Sequence, residues 1–492
     1  MICEDMVNKN ILVIAPWGSP AQWRTARYVL DDHEVESCCS LIPLLSSIRN
    51  SDPRASITVA LILLDSLIDR YSGRAVESSC YSSYIRHIDD ILLSDGINGY
   101  DDIVRKCRCL AERIFRDLLA ENGLIIDELE IIVAPCVGSP GGNWSFMGDA
   151  RDFIAITLYE LTRICRKKEF SEIVLDLTHG INFMPAMCMY LIQLLASILM
   201  IAHNLNEVVI KVYNSDPYSP NTVREGYPAL RLNLMLKQRV KTIHVPHALP
   251  KRIIKSTERV EDQLLNSLIQ REKILMEHIQ AVISSFYYPL PLAACKSIQA
   301  MIDSGIDIES FLDECVKMWK CNIQVDAGRR SVKRRMRLIP EAIYSCFLTL
   351  SLMEKVRSIA GELKSITIAH LQNLKDLYRL VHESNYYIIA DEISKIDKSL
   401  RHLKKECAYL YELYDLELIG PRAIPSEEAV PNTRVMIAHA GLQKDFTRIF
   451  RDGRIDYDES IIGCGEDQSS RVVLRSIRDL LKCAGLLIPL ED

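Results

Sequence analysis

The sequence predicts an α/β amino-terminal half built on a Rossmann-like, mostly parallel sheet, followed by an all-α carboxy-terminal half. Three observations predict it. Up to about residue 250, short runs that are apolar throughout alternate with amphipathic stretches. Strands without polar alternation are those covered on both faces, as in parallel sheets. From about residue 252 the apolar spacing becomes helical. The length, 492 residues, exceeds what one hydrophobic core usually serves, so two domains are expected, 1–250 and 251–492.

Taken in order, residues 10–15 (NILVIA) read as a first buried strand leading into P-W-G-S-P and a helical stretch. Residues 56–64 (SITVALILL) are a second. Residues 100–121 read as a helix, with Ile103, Leu110 and Ile114 among charges. Residues 128–135 form a strand that ends in a loop of Gly, Pro and Ser, and 150–165 are helical. Residues 172–178 (EIVLDLT) and 207–213 (EVVIKVY) are further strands. Between them, 181–206 contain no Asp, Glu, Lys or Arg, enough length to cross a bilayer of ~30 Å. Strand-like runs on both sides, with Asn182, Pro185 and Gln193 inside, favour a buried crossover helix instead. In the second half, 260–284, 342–363, 368–380, 434–450 and 470–481 read as helices. Residues 411–431 are broken by Gly420, Pro421, Pro425 and Pro431.

Composition narrows function. Hydrophobic residues make up 48% and charged residues 25%, and the net charge is −6, which describes an ordinary soluble protein. Residues 1–250 carry 24 Lys+Arg against 30 Asp+Glu, so no generic basic coat for nucleic acid exists and any contact must be local. Sixteen cysteines in so long a chain are not a disulfide framework. There is no C-x-x-C, and Cys38–Cys39 and Cys107-x-Cys109 lack zinc-ligand spacing. Most cysteines are expected as small buried apolar residues, with no metal and no resident cofactor. The beginning, MICEDMVNKN, has no apolar signal core, so a cytoplasmic setting is expected.

Ligands of an open parallel sheet bind beyond the carboxyl ends of its strands. Three of the four tryptophans sit in or beside such loops. Trp17-Gly18-Ser19-Pro20-Ala21-Gln22-Trp23 follows the first strand, and Gly141-Gly142-Asn143-Trp144 follows the 128–135 strand. Thr178-His179-Gly180-Ile181-Asn182 follows the 172–178 strand, and Tyr213-Asn214-Ser215-Asp216 ends the next. Small residues let backbone N–H groups approach an anion, and aromatic rings offer faces for bases, a combination suited to a phosphorylated nucleotide. The competing reading is that Gly, Ser and Pro only turn the chain and the tryptophans pack. Neither G-x-G-x-x-G nor a P-loop is present.

In the second half, Arg434-Val-Met-Ile-Ala-His439 places an arginine and a histidine five apart. RNA cleavage without a metal needs a proton carrier for the ribose 2′-hydroxyl or the leaving 5′-oxygen, and a cation for the phosphorane; His and Arg suit these roles. The pattern alone is weak. With 36 Arg and 11 His roughly one such match is expected by chance, and Arg239…His244 is a second. Only Arg434 follows a Pro431-Asn432-Thr433 helix entry and continues as His439-Ala440-Gly441. A basic run from Arg329 to Arg337, with Arg330, Lys333 and Arg334 among its cations, is the densest positive cluster. It would either contact RNA phosphates or form a solvated face.

The order W-G-x-P-x-x-W, L-D-L-T-H-G-I-N-F-M-P, Y-N-S-D-P-Y and R-x-x-x-x-H-A-G resembles the Csx-type accessory ribonucleases of type III CRISPR systems, which join a CARF sensor domain to a HEPN nuclease domain. The resemblance implies a CARF-like domain at 1–250 and a HEPN-like domain at 251–492. It implies a homodimer or higher oligomer that binds a cyclic oligoadenylate, with cyclic tetra-adenylate the expected ring, as allosteric activator. It also implies cutting of single-stranded RNA without metal, leaving a 2′,3′-cyclic phosphate. By motif, Trp17, Gly18, Ser19, Gln22, Thr178, His179, Gly180, Asn182 and Asn214 would hold the activator, and Arg434 and His439 would be catalytic. One departure stands out: many such motifs have a polar residue directly after the arginine, where this chain has Val435, so a slow enzyme or a substitute such as Asn432 is expected. The alternatives are a non-catalytic nucleotide sensor and a ring nuclease that degrades its own activator, with His179 or nearby hydroxyls involved.

Overall fold

The computed structural model describes residues 9–31, 33–69, 91, 96–217, 227–258, 263–414, 429–464 and 476–491. The expectations placed on 415–428 and 470–475 lie outside them. The chain forms two compact units with interleaved segments. The first is Met1–Lys241, Ile254–Val260 and Cys315–Pro340; the second is Thr242–Ile253, Glu261–Glu314 and Glu341–Asp492. The chain therefore passes between units several times, and the expected boundary at residue 250 falls inside a segment of the second.

The first unit is built on eight strands. In chain order these are β1 (Asn10–Trp17), β2 (Ala26–Leu30), β3 (His33–Ser37), β4 (Ser56–Leu64), β5 (Glu128–Ala134), β7 (Glu172–Asp176), β8 (Val208–Ser215) and β9 (Ala229–Val240), with a short β6 (Ser145–Met147) elsewhere. Their spatial order is β3-β2-β9-β8-β7-β1-β4-β5. Strands β5, β4, β1, β7 and β8 run parallel, and β9 is antiparallel to β8. The chain builds outward from β1 through β4 to β5, then returns to place β7 on the other side of β1. That reversal is the point at which an open α/β sheet binds ligands. Seven of the eight residues of β1 are buried, as a strand covered on both faces requires.

Helices α1 (Leu41–Ser51), α2 (Tyr100–Glu121), α3 (Asp152–Lys167) and α4 (Met184–Ala202) flank the sheet. The uncharged 181–206 segment resolves into α4, whose Leu191, Leu195, Ile198 and Met200 are buried in the core. It has the length and composition to cross a membrane, and burial against its own domain accounts for both.

The basic run expected in the helical half is instead a hairpin of the first unit. Strands β12 (Ile323–Asp326) and β13 (Ser331–Arg334) pair antiparallel, and β13 pairs with β6. Next, β14 (Met336–Leu338) pairs with β11 (Ile254–Ser256); β10 (Leu249–Pro250) precedes it in the chain.

The second unit is helical at its core. Helices α5 (Gln263–Tyr287), α8 (Pro340–Ala360) and α9 (Ile368–Val381) answer to the helices read at 260–284, 342–363 and 368–380; α6 (Pro291–Asp303) and α10 (Glu383–Leu400) have no individual counterpart in the sequence reading, and α7 (Ile308–Cys321) precedes the hairpin. Phe286 stacks on Tyr378 at 4.9 Å, and the Tyr378 hydroxyl donates to the Ser285 carbonyl. A small sheet of β15 (Cys407–Tyr409), β16 (Thr447–Phe450) and β17 (Ile455–Tyr457) adds strands the sequence reading did not foresee; α11 (Leu410–Tyr414) lies beside it. The helix expected over 434–450 is only α12 (Thr433–Ala438), because Ala440 and Gly441 take positive φ (53° and 79°) and turn the chain into β16. Near the end stand α13 (Ile477–Cys483) and β18 (Leu490–Glu491). Ten of the twelve free cysteines among the described residues are buried or half-buried, and Cys464 and Cys483 form a disulfide.

Candidate functional site

In the first unit the loops after β1 and β7 are tied together at the sheet's reversal point. The Gly18 N–H donates to the His179 carbonyl at 2.7 Å. A Cβ on Gly18 would stand 2.6 Å from Ile181 Cγ2, and one on Gly180 2.9 Å from Pro185 Cγ. Both glycines are therefore required by loop packing. The His179 ring lies on Trp23 with centroids 4.3 Å apart, and its Nε2 accepts the Ser40 N–H at the start of α1 (3.1 Å). Burial pushes its pKa down to about 3, so the ring is neutral with the proton on Nδ1. Asp176, itself buried, accepts from the Ser40 hydroxyl (2.6 Å) and the Thr178 N–H (3.0 Å), and burial pushes its pKa up. The Thr178 hydroxyl accepts the Ser215 N–H at 3.2 Å. Three strand ends are thus joined by one polar frame.

Beside this frame opens a cleft of about 450 Å³ lined by Gln22, Trp23, Arg24, Tyr28, Thr178, His179, Asn214 and Ser215, among others. Of the residues expected to hold a ligand, Gln22, Thr178, His179 and Asn214 reach it. Trp17 does not: it is 1% exposed, packed edge-on against Trp23 and Phe115, so it offers no face for stacking. Ser19 is buried on the other side of the loop and lines a separate small cavity with Trp17 and Gly18. Asn182 is exposed with φ 50°, at the turn before α4. The sequence reading missed Arg24 and Tyr28. Arg24 is exposed and supplies the cation that the loops seemed to lack; its place directly after Trp23 was the available signal.

The four cations proposed to touch RNA divide. Arg329 and Arg330 are exposed at the hairpin turn. Lys333 pairs with Glu258. Arg334 is corrected outright: its side chain is fully buried and pairs with the equally buried Asp65, donating also to the Cys136 carbonyl at 2.7 Å. Alternation along β13 turns this one arginine inward, a pattern a helical reading could not reveal.

In the second unit, Asn432 caps α12, its Oδ1 accepting the Val435 N–H at 3.0 Å, so this side chain is engaged as a cap where a substitute for the missing polar residue was expected. Arg434 is exposed and makes no hydrogen bond or ion pair among the described residues. His439 ends the helix. Its side chain is 45% exposed, and its Nδ1 lies 3.1 Å from Oε2 of Glu392, a residue of α10 whose side chain is 2% exposed. A carboxylate accepts only, so Nδ1 carries a proton, and in the neutral ring Nε2 has the lone pair. Lys395 Nζ stands 3.6 Å from the same Oε2 and 2.6 Å from Asp391. The sequence reading paired Arg434 with His439 and missed Glu392, which lies 47 positions away and carries no local signal.

A Rossmann-like unit with a cleft at its strand reversal, and a helical unit bearing an arginine and a carboxylate-supported histidine, are the parts of a CARF–HEPN protein, and the comparisons place the chain in that class. The family model described as "CRISPR system endoribonuclease Csx1, CARF domain" matches residues 12–217, and "CRISPR system endoribonuclease Csx1, HEPN domain" matches 382–459. The protein described as CRISPR system endoribonuclease Csx1 from Methanocaldococcus jannaschii is 26% identical over 474 residues, covering 91% of this chain and 89% of that one. The chain belongs to the Csx1-type CARF–HEPN family of CRISPR-associated endoribonucleases.

Proposed function

We propose that the protein is a cytoplasmic homodimer that cuts single-stranded RNA without a metal when a cyclic oligoadenylate, expected as cyclic tetra-adenylate, binds its first unit. The observation that carries the nuclease reading is a pair of groups left unengaged among the described residues: the Arg434 guanidinium, and the His439 ring, held on one side and open on the other. On an ideal helix, positions five apart differ by about 140°, so one copy's Arg434 and His439 diverge and a composite site from two copies suits them.

In the reaction, O2′ attacks the adjacent phosphorus, an O2′–P bond forms and the P–O5′ bond breaks. The Nε2 lone pair of His439 takes the O2′ proton; the resulting imidazolium, or that of the second copy, protonates O5′. Arg434 stabilises the charge on the phosphorane. The products are a 2′,3′-cyclic phosphate and a 5′-hydroxyl. In the first unit, Gln22, Arg24 and Asn214 would contact the activator, while Gly18, Thr178, His179 and Gly180 hold the loops that shape the cleft. Activation is then a coupling free energy between the two sites, so RNA should also tighten activator binding.

The test is cleavage of single-stranded RNA in EDTA, with and without cyclic tetra-adenylate, for wild type and His439→Ala. Activator-dependent cleavage lost in the variant is expected. Cleavage that persists in His439→Ala overturns the assignment, and no cleavage by any form supports a non-catalytic sensor.

A further inference from the structure

Glu392 is out of place for a residue that only packs. It stands on the buried side of α10 among Ile389, Ile393 and Ile396, each at most 3% exposed, and its own side chain is 2% exposed. An apolar residue would fill that position without the cost of burying a carboxylate. Its oxygen Oε2 has His439 Nδ1 at 3.1 Å and Lys395 Nζ at 3.6 Å among its partners. The first contact bridges α10 to the end of α12, two elements the chain brings together from 47 residues apart.

We propose that Glu392 is the positioning residue for His439: by accepting the Nδ1 proton it fixes the tautomer that leaves Nε2 free, and it holds the ring with that nitrogen toward solvent. The inference rests on the reading of His439 as the proton carrier. The chemistry needs this tautomer, because an Nε2 that already bears a proton in the neutral ring cannot take one from O2′. Two copies facing a shared RNA would each need the same support. Lys395 sits on the outer side of the carboxylate and shares its charge, so the pair presents a buried acceptor to the histidine and an ammonium to the surface.

The experiment compares the full-length protein with Glu392→Gln, Glu392→Asp and His439→Ala, activated by cyclic tetra-adenylate. Glutamine keeps the shape, and its amide can rotate to donate to Nδ1, which favours the opposite tautomer. The expected result for Glu392→Gln is a fall in kcat on the order of 10²- to 10⁴-fold, with KM for RNA and activator binding unchanged. In ¹⁵N spectra of histidine-labelled protein, the His439 signals, assigned by their loss in His439→Ala, should pass from the Nδ1–H to the Nε2–H pattern. Glu392→Asp, still an acceptor, should retain the original tautomer and recover part of kcat. The proposal is overturned if Glu392→Gln keeps wild-type kcat, or if kcat falls while the His439 tautomer stays as in wild type. If His439→Ala itself cleaves at the wild-type rate, the nuclease assignment fails instead, which separates the two failures.

Discussion

Replacing Arg334 by alanine should destabilise the first unit severely while leaving the protein's surface charge pattern almost unchanged. Three interactions hold the guanidinium: the ion pair with Asp65, the donation to the Cys136 carbonyl, and the face of the Tyr100 ring at 5.8 Å. Asp65 also accepts from the Cys136 N–H at 2.8 Å and the Tyr100 hydroxyl at 3.0 Å, and both charged side chains are fully buried. Burial pushes the Asp65 pKa up and Arg334 pulls against it, so removing the arginine leaves an uncompensated carboxyl in the core. Breaking a buried pair from one side costs about 3–5 kcal/mol, and the lost contacts of the side-chain stem add to this. Urea denaturation followed by tryptophan fluorescence measures the loss. Arg330→Ala at the exposed turn should change stability by less than about 0.5 kcal/mol. The double variant Asp65→Asn/Arg334→Met should recover most of the loss, since both partners are then neutral. An Arg334→Ala protein within 1 kcal/mol of wild type, or no recovery in the double variant, refutes the reasoning.

Other consequences follow from the same geometry. Asp152, buried beneath the Leu338 N–H (2.8 Å) and Trp319 Nε1 (3.3 Å), has its pKa raised by burial from 3.8 to about 7. Its protonated form is favoured in the folded state, so its stabilising contribution is complete below about pH 4 and lost as pH rises to 7. The stability of Asp152→Asn relative to wild type should therefore climb by up to about 4 kcal/mol across that window in denaturation curves. Gly18→Ala, which forces a Cβ into Ile181, should cost about 1–3 kcal/mol in thermal or urea unfolding and weaken activator binding by distorting the His179 loop. Arg24→Ala should lower affinity for cyclic tetra-adenylate roughly tenfold in calorimetry, through loss of one phosphate contact. Gly441→Ala strains a φ of 79° and meets Leu290 and the Tyr457 hydroxyl at 3.2 Å, so it should cost about 1–3 kcal/mol in unfolding and reduce RNA cleavage by shifting the turn behind His439.

The parallel sheet was legible because each buried strand announces itself as an unbroken apolar run, and the helix over 184–202 because its uncharged stretch lies between two of them. The loops after β1 and β7 were legible as places, since small residues cluster there, but their inner working was not. Which tryptophan stacks and which packs depends on a T-shaped contact between Trp17 and Trp23 that no spacing encodes. The hairpin carrying Arg334 was misread because its short strands alternate over only four residues, and because the segment returns to the first unit after a stretch of helices. The helix after Arg434 was overextended for a local reason: Ala440 adopts the left-handed conformation beside Gly441, and alanine gives no warning of it.

The two sites are built on opposite plans, and that difference separates structural from functional substitutions. In the loops after β1 and β7 several polar atoms are already engaged: Gly18 N–H with the His179 carbonyl, His179 Nε2 with Ser40, Thr178 Oγ1 with Ser215. Such atoms have little left for a ligand, so changing them should lower binding and stability together. The proposed recognition then falls to the rim, where Gln22 and Arg24 are exposed and Asn214 half-exposed, and changes there should lower binding more than stability. At the other site the order is reversed. Asn432, Glu392 and Tyr457 spend their hydrogen bonds on the frame, Tyr457 by donating to the Gly441 carbonyl at 3.0 Å, while Arg434 and the outer edge of His439 stay open. Among the described residues the Arg434 guanidinium has no partner and one nitrogen of the His439 imidazole is unengaged, as the proposed completion by a phosphate and a ribose hydroxyl requires. Arg434→Ala should therefore abolish cleavage without lowering the melting temperature, and a variant that loses stability in step with activity would place the arginine in the frame instead.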